Sequence, residues 1–256
     1  MRVGRYYNPR NAIAPARTEI IAICKKNSLD HLTNQLVCFG AMSKTAAKAA
    51  PQENARTRLL NAALALIRQR GYSATTVDEL CAAAGVTKGA FFHHFKSKEA
   101  LGVAAAEYWS EMTGALFASA PYHEKKDPLE RVLAYIDFRA QIIDGPLESF
   151  TCLVGTMVQE TYGSSDAIRQ ACEASITGHA LTLEADIEAA IARYGCPPDI
   201  SARSLALHTQ AVLQGGFILA KAEGGPQLAR DSAAHLKRYF TLLFQQAEVP
   251  TTRNED

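Results

Sequence analysis

Residues 76–95 read TVDELCAAAGVTKGAFFHHF, and the fold follows from this stretch. Thr76-Val77-Asp78-Glu79 has the spacing of a capping box, in which a Thr hydroxyl and a Glu carboxylate satisfy the first free amides of a helix. That helix is predicted to end near Ala84. Gly85 can take positive φ, Val86 supplies an apolar anchor, and Thr87 caps a second short helix running to Phe95. Two short helices joined by a tight glycine turn are the requirement for a helix-turn-helix, whose second helix enters the major groove of DNA.

On that second helix Phe91 and Phe95 fall one turn apart and face inward with Val86, leaving Lys88, Gly89, Phe92 and His93 outward. Lys88 can reach a phosphate or a guanine edge, while Gly89 and Ala90 are small enough for close backbone approach. The free amides at the Thr87 end favour a phosphate, and Lys98 opens the next helix close enough to neutralise another. His93 and His94 are adjacent, about 100° apart around a helix, which is poor geometry for holding one metal ion.

Helical spacing extends in both directions. Upstream, Leu60, Ala63, Leu64 and Ile67 define a helix over 56–70 that Gly71 terminates. Downstream, Ser97 caps a long helix with Leu101, Ala105, Tyr108, Met112 and Leu116 on one stripe. A polar break over 118–127 precedes a helix from Pro128 to about Ile143, closed by Gly145 and Pro146. Further helices are predicted over 150–162, from Ser165 without interruption to Ile191, from Asp199 or Ser201 to Glu223, and over 227–246. No run of alternating β-branched residues suggests a strand, so the chain reads as all-α.

The chain has 256 residues, 48% of them apolar and 21% charged, the profile of a globular protein with a sizeable core. No apolar run approaches the roughly 18 residues needed to span a bilayer, and no signal-type apolar segment follows Arg2, Arg5 and Arg10. Six scattered cysteines form no close pair, which points to a reduced cytoplasmic protein without a disulfide framework or a CxxC metal site. Motifs for nucleotide binding, zinc hydrolysis and serine esterase chemistry are missing, so no catalytic residue, metal or cofactor is assigned. The net charge of +1 conceals an asymmetry. Residues 1–41 are net +4, residues 42–100 net +5 and residues 101–256 net −8. A basic front suits a polyanion. The acidic back favours a neutral or cationic ligand there, an inference that one buried arginine would reverse.

The stretch from Arg58 to Leu101, RLLNAALALIRQRGYSATTVDELCAAAGVTKGAFFHHFKSKEAL, resembles the tetracycline-repressor (TetR) family of one-component transcriptional regulators. The resemblance rests on the Gly-Tyr helix end, the Thr-Thr cap, Ala-Ala-Gly-Val, Thr-Lys-Gly, the aromatic pair, His-Phe and Ser-Lys-Glu-Ala-Leu. It implies an N-terminal three-helix helix-turn-helix domain, joined by a connecting helix to a larger helical domain for effector binding and dimerisation. It also implies a homodimer on double-stranded operator DNA, with contacts from Thr75, Thr76, Thr87, Lys88, Gly89, Phe92, His93, His94 and Lys98. The family usually has Tyr where this chain has Phe92, so a hydroxyl contact to phosphate is lost.

The corresponding division is an extension over 1–50, expected to be disordered, a DNA-binding domain over 51–97, an effector and dimerisation domain over 98–247, and a tail over 248–256. Met42 opens a second plausible start. The resemblance places a dimeric four-helix bundle near 181–194 and 204–223, with Leu183, Ile187, Ile191, Leu205, Val212, Gly215, Gly216 and Leu219 at the interface. The small residues there could equally serve a contact between helices of one chain. Trp109, Met112, Phe138, Phe150, Cys152, Met157 and His179 are candidates to line a pocket for a small-molecule effector, with plain core as the alternative for each, and His208 is expected in the core. Cys152 lies in FTCLVGTMVQE, which resembles a Gly-Cys-Leu segment of one subgroup, with Thr151 in place of Gly. A thiol sensing oxidants or electrophiles needs a basic neighbour, and none is adjacent in sequence, so a buried structural cysteine is the default expectation.

Overall fold

A computed structural model describes residues 54–246. The extension expected over 1–50 and the tail over 248–256 lie outside the described residues, as do residues 51–53. The chain forms α1 (Ala55–Arg70), α2 (Val77–Ala84), α3 (Lys88–His94), α4 (Lys98–Ala118), a 3-10 turn (Pro121–Glu124), α5 (Pro128–Ile142), α6 (Leu147–Phe150), α7 (Leu153–Thr161), α8 (Asp166–Leu181), α9 (Glu184–Tyr194), α10 (Ala202–Glu223) and α11 (Gln227–Gln246). No strand occurs among the described residues. The all-α expectation holds, with two helices divided where sequence pattern suggested continuity.

The long helix expected from Ser165 to Ile191 is broken at Thr182. The Thr182 hydroxyl donates to the His179 carbonyl at 2.7 Å, and the amide of Leu183 turns to the Ala180 carbonyl instead. A hydroxyl competing for a helical carbonyl is a local alternative to the next helical bond. The chain bends there and directs Leu183 and Ile187 into the core. The helix expected over 150–162 is likewise split. Thr151 is extended (ψ 156°), and Cys152 becomes the N-cap of α7, its sulfur accepting from the Gly155 amide at 3.4 Å.

Two main cores organise the helices. The first gathers Leu59, Leu60, Ile67, Leu80, Phe91 and Leu101 from the four N-terminal helices with Leu153, Met157, Ile168 and Cys172 from α7 and α8. The second lies among α5, α9, α10 and α11, with Phe117 reaching it from the far end of α4. Apolar burial therefore runs without a gap across the expected boundary at 97/98. At about 1.5 Å per residue the 21 residues of α4 extend roughly 30 Å, enough to join both cores.

A second link is polar. The Glu160 carboxylate at the end of α7 accepts from the amides of Tyr72 at 3.0 Å and Ser73 at 2.7 Å. These two donors follow Gly71, whose φ is +94° and where an added Cβ would lie 2.4 Å from Glu160 Oε1. Glycine is needed there both for the turn and for the approach of the carboxylate. Charge-assisted bonds to two amides are strong, but this site is open to water, so Glu160→Ala should cost about 1–2 kcal/mol. Denaturant midpoints will show whether the stability falls. An unchanged midpoint would mean that water serves the Tyr72 and Ser73 amides equally well.

Candidate nucleic-acid interface

The helix-turn-helix is built as its sequence specifies. Thr76 N donates to Glu79 Oε2 at 2.9 Å and Glu79 N donates to Thr76 Oγ1 at 3.3 Å, closing the capping box of α2. These bonds hold the Glu79 carboxyl below its usual range, assisted by Arg70 at 2.8 Å. Gly85 takes the left-handed conformation at φ +60°, and the Val86 amide returns to the Cys81 carbonyl. The Thr87 hydroxyl accepts from the Ala90 amide at 3.1 Å and starts α3. Phe91 is fully buried and Phe95 nearly so, their ring centres 5.9 Å apart, which anchors one face of α3 and fixes which face remains outside.

That outer face carries Lys88, Gly89, Phe92, His93 and His94, all exposed. Phe92 is 53% exposed although its ring packs edge-on against Phe91, with centres 5.2 Å apart. Lys88 pairs with Asp78 at 2.7 Å, which raises its pKa. Both side chains are well exposed, so exchanging this carboxylate for a phosphate costs little. Gly89 meets only the Thr87 hydroxyl, 3.8 Å from an added Cβ, so nothing in the chain itself demands a glycine. Thr76 and Thr87 are exposed caps whose hydroxyls serve their own helices first.

Two expectations change. Thr75 is fully buried, its hydroxyl donating to the Gly71 carbonyl at 2.7 Å, so its side chain shapes the α1–α2 turn and offers nothing to DNA. Lys98 is half-buried, with Nζ 3.3 Å from the Ser73 carbonyl and 4.4 Å above the Tyr72 ring. Burial lowers its pKa. Before it neutralises any phosphate, Lys98 ties the start of α4 to the same loop that Glu160 holds.

The residues expected farther along the chain divide among several environments. Trp109, Met112, Cys152 and Met157 belong to the first core, Met157 being fully buried. Phe138 and His179 sit beside Phe117 near the second core, and Phe150 packs on Phe217 in a small third one. The Trp109 ring lies 5.0 Å beneath the guanidinium of Arg68, a buried arginine whose pKa desolvation lowers to about 10. Cys152 lies in the field of both Arg68 and Lys221, cations 84 residues before it and 69 after it. Lys221 lines the same small cavity as Cys152, a cation that neighbours in sequence do not supply.

For the expected dimer contacts, Leu183, Ile187, Leu205 and Gly216 are buried within the chain's own core and present no surface to a second copy. An added Cβ on Gly216 would meet the Ala229 Cα at 3.2 Å, so this glycine permits the internal crossing of α10 and α11. Ile191, Val212 and Gly215 are partly exposed, and Leu219 is 49% exposed. Leu207, Ile218 and Leu219 on α10 and Tyr239 and Leu242 on α11 are also exposed. None of these lies on α9. His208, expected in the core, is exposed on α10 against Tyr239, with ring centres 5.2 Å apart.

Residues 59–105 match the family model for bacterial regulatory proteins of the tetR family, and residues 128–236 match the tetracyclin repressor-like C-terminal domain. The chain belongs to the TetR family. It is 31% identical over 115 residues to the transcriptional repressor DhaR of Mycobacterium sp. strain GP1, covering 44% of this chain and 56% of that one. With the transcriptional regulator AcuR of Cereibacter sphaeroides it shares 31% over 117 residues, 46% of this chain and 53% of the relative. The chain thus spans about half the length of these curated relatives. The crystal structure of reduced Escherichia coli NemR is similar at a TM-score of 0.60 and 26% identity, covering 72% of this chain and 96% of that one. This TetR-family chain also has the family's order of a helix-turn-helix followed by a larger helical region.

The geometry of α3 yields a paired prediction. Phe92→Tyr restores a hydroxyl on the exposed face and should tighten duplex binding about fivefold, the worth of one hydrogen bond of about 1 kcal/mol. Lys88→Ala should leave the melting temperature unchanged while lowering the salt slope of binding by about 1. Fluorescence anisotropy against salt concentration measures both, and unchanged binding in both variants would move the interface away from α3.

Proposed function

We propose that the protein is a sequence-specific DNA-binding transcriptional regulator, a repressor that holds a palindromic operator as a homodimer and is released by a small-molecule effector. The observation that carries this reading is the outer face of α3, which is exposed, basic and fixed in orientation by Phe91 and Phe95. The DNA-binding part corresponds to 51–97 and the effector and dimerisation part to 98–247. DhaR, named as a repressor, supports the sign of the regulation. No helix among the described residues is long and apolar enough to cross a membrane, and we assign the protein to the cytoplasm with its DNA.

The homodimer is assigned to the outer face of α10 and α11. Leu207, Ile218, Leu219, Tyr239 and Leu242 expose between 38% and 57% of their surfaces on two helices that pack together, and large apolar side chains left in water favour a contact site there. Gly215 has open space where a Cβ would stand, which allows a partner helix to approach. An isologous pair of this kind brings two recognition helices to successive major grooves, about 34–36 Å apart in the general case. An effector acts by binding more tightly to the conformation that does not fit DNA, and α4 is the element able to carry the change between the two cores.

A second, narrower reading is favoured by the position of Cys152, at a helix N-cap with Arg68 and Lys221 around it. Here the signal is a chemical electrophile that forms a bond to the Cys152 sulfur as the thiol proton leaves. One assay separates these readings. The double variant Leu219→Glu, Leu242→Glu should sediment as a folded monomer and bind duplex DNA about a hundredfold more weakly. A dimer that persists, or a monomer that binds as well as wild type, contradicts the proposed arrangement. In the same assay, loss of DNA binding on iodoacetamide treatment that is absent in Cys152→Ser would support the thiol reading, and equal loss in both proteins would eliminate it.

A further inference from the structure

We propose that Arg139 is an effector-binding residue, and that the effector is a small carboxylic acid with an apolar body. This rests on the ligand-responsive reading above and names the chemistry of the ligand. Arg139 lies on α5 with 8% of its surface exposed, and its Nε is buried without a hydrogen-bond partner. None of the ion pairs among the described residues involves it. A guanidinium remains charged in a protein, and a buried charge is costly without an anion beside it.

The neighbours of Arg139 leave its charge unmatched. One terminal nitrogen lies 3.4 Å from His179 Nε2, and the Tyr135 hydroxyl lies 3.0 Å from the same atom. Arginine can only donate, and it bonds to the Tyr135 hydroxyl as well as approaching His179 Nε2, so both acceptors it meets are neutral. Gln210 Nε2 donates to the Tyr135 hydroxyl at 3.4 Å, completing a chain of neutral groups. Burial and the nearby guanidinium push the His179 pKa down to about 3, so the ring is neutral near pH 7 and supplies neither a counter-charge nor a second cation. The other buried arginine, Arg68, also has one terminal nitrogen without a partner, but its surroundings carry negative groups. Arg68 donates from Nε to the Leu64 carbonyl and lies in the field of Cys152 and Glu148.

The walls around Arg139 are aromatic. Its guanidinium carbon lies 5.1 Å from the centre of the Phe117 ring and 5.8 Å from that of Phe217. Phe217 also borders a cavity of about 10 Å³ lined by Cys152, Gln214 and Lys221 but not by Arg139, room for about one water, so an acid reaches the guanidinium only as the Phe117 and Phe217 rings move aside. A planar carboxylate matches the fork of a guanidinium, and an apolar body attached to it suits the aromatic walls better than a compact inorganic anion. This reverses the ligand charge expected from the acidic composition of the C-terminal half, because one buried cation outweighs charges dispersed over the surface. Phe117 is in the last turn of α4, so an acid that draws Arg139 off its ring acts on the helix that begins at the DNA-binding module.

The test measures ligand binding to the full chain without DNA, which keeps it separate from any failure of the operator reading. Benzoate, phenylacetate and hexanoate are titrated beside their amides and inorganic phosphate, with melting temperature and titration calorimetry as readouts. At least one acid should raise the melting temperature by about 5 °C at a hundredfold excess over its dissociation constant. Its amide and phosphate should not. Arg139→Met should abolish that shift while melting, free of ligand, at or above the wild-type temperature. The proposal is overturned if no acid acts, if amides or phosphate act equally, or if the shift survives in Arg139→Met. Should that variant not fold, the comparison of acid with amide in the wild-type protein still decides.

Discussion

The carboxylate of Glu160 on the amides of Tyr72 and Ser73 ties the helix-turn-helix to the larger helical region that follows it. The contact forms because Gly71 takes a backbone conformation with positive φ and carries no Cβ. Lys98 closes the same loop from the opposite direction, over Tyr72 and onto the Ser73 carbonyl. The turn after α1 is therefore gripped by the first residue of α4 and the last turn of α7. Behind it the first core runs continuously from α1 to α8. A module tied down in this way moves with the helical body, which is what a regulator needs if events 30 Å away along α4 are to alter the placement of α3.

Local chemistry made much of this legible in the sequence. The Thr76 and Glu79 capping box, the left-handed Gly85, the Thr87 cap and the inward pair Phe91 and Phe95 depend on residues within a few positions of one another, and each takes the predicted form. Thr75 misled because its neighbour Thr76 caps a helix on the surface while Thr75 itself turns inward to Gly71. The break at Thr182 was hidden because threonine fits a helical pattern, while the amides of Thr182 and Leu183 close on carbonyls three residues back instead of four. Leu183 and Ile187 keep a helical stripe, but periodicity does not say whether a stripe meets its own chain or a second copy.

What composition could not show is where distant side chains converge. Lys221 lines the same small cavity as Cys152 although 69 residues separate them, and Arg139 makes no ion pair among the described residues although its half of the protein is acidic. The net charge of a region counts groups in water, whereas recognition depends on the few that are buried. The apolar face of α10 and α11 escaped for a related reason. The glycines at 215 and 216 look alike in sequence, yet one faces open space and the other is pressed against α11.

The central claim is that two copies of α3, held in fixed relation, read a symmetric duplex. Selection from a random duplex library with the purified full-length protein at a stated salt concentration tests it most directly. The account predicts an enriched inverted repeat whose half-sites are centred about one helical turn apart or slightly more. Enrichment of single half-sites, or none from a folded dimeric protein, would contradict it.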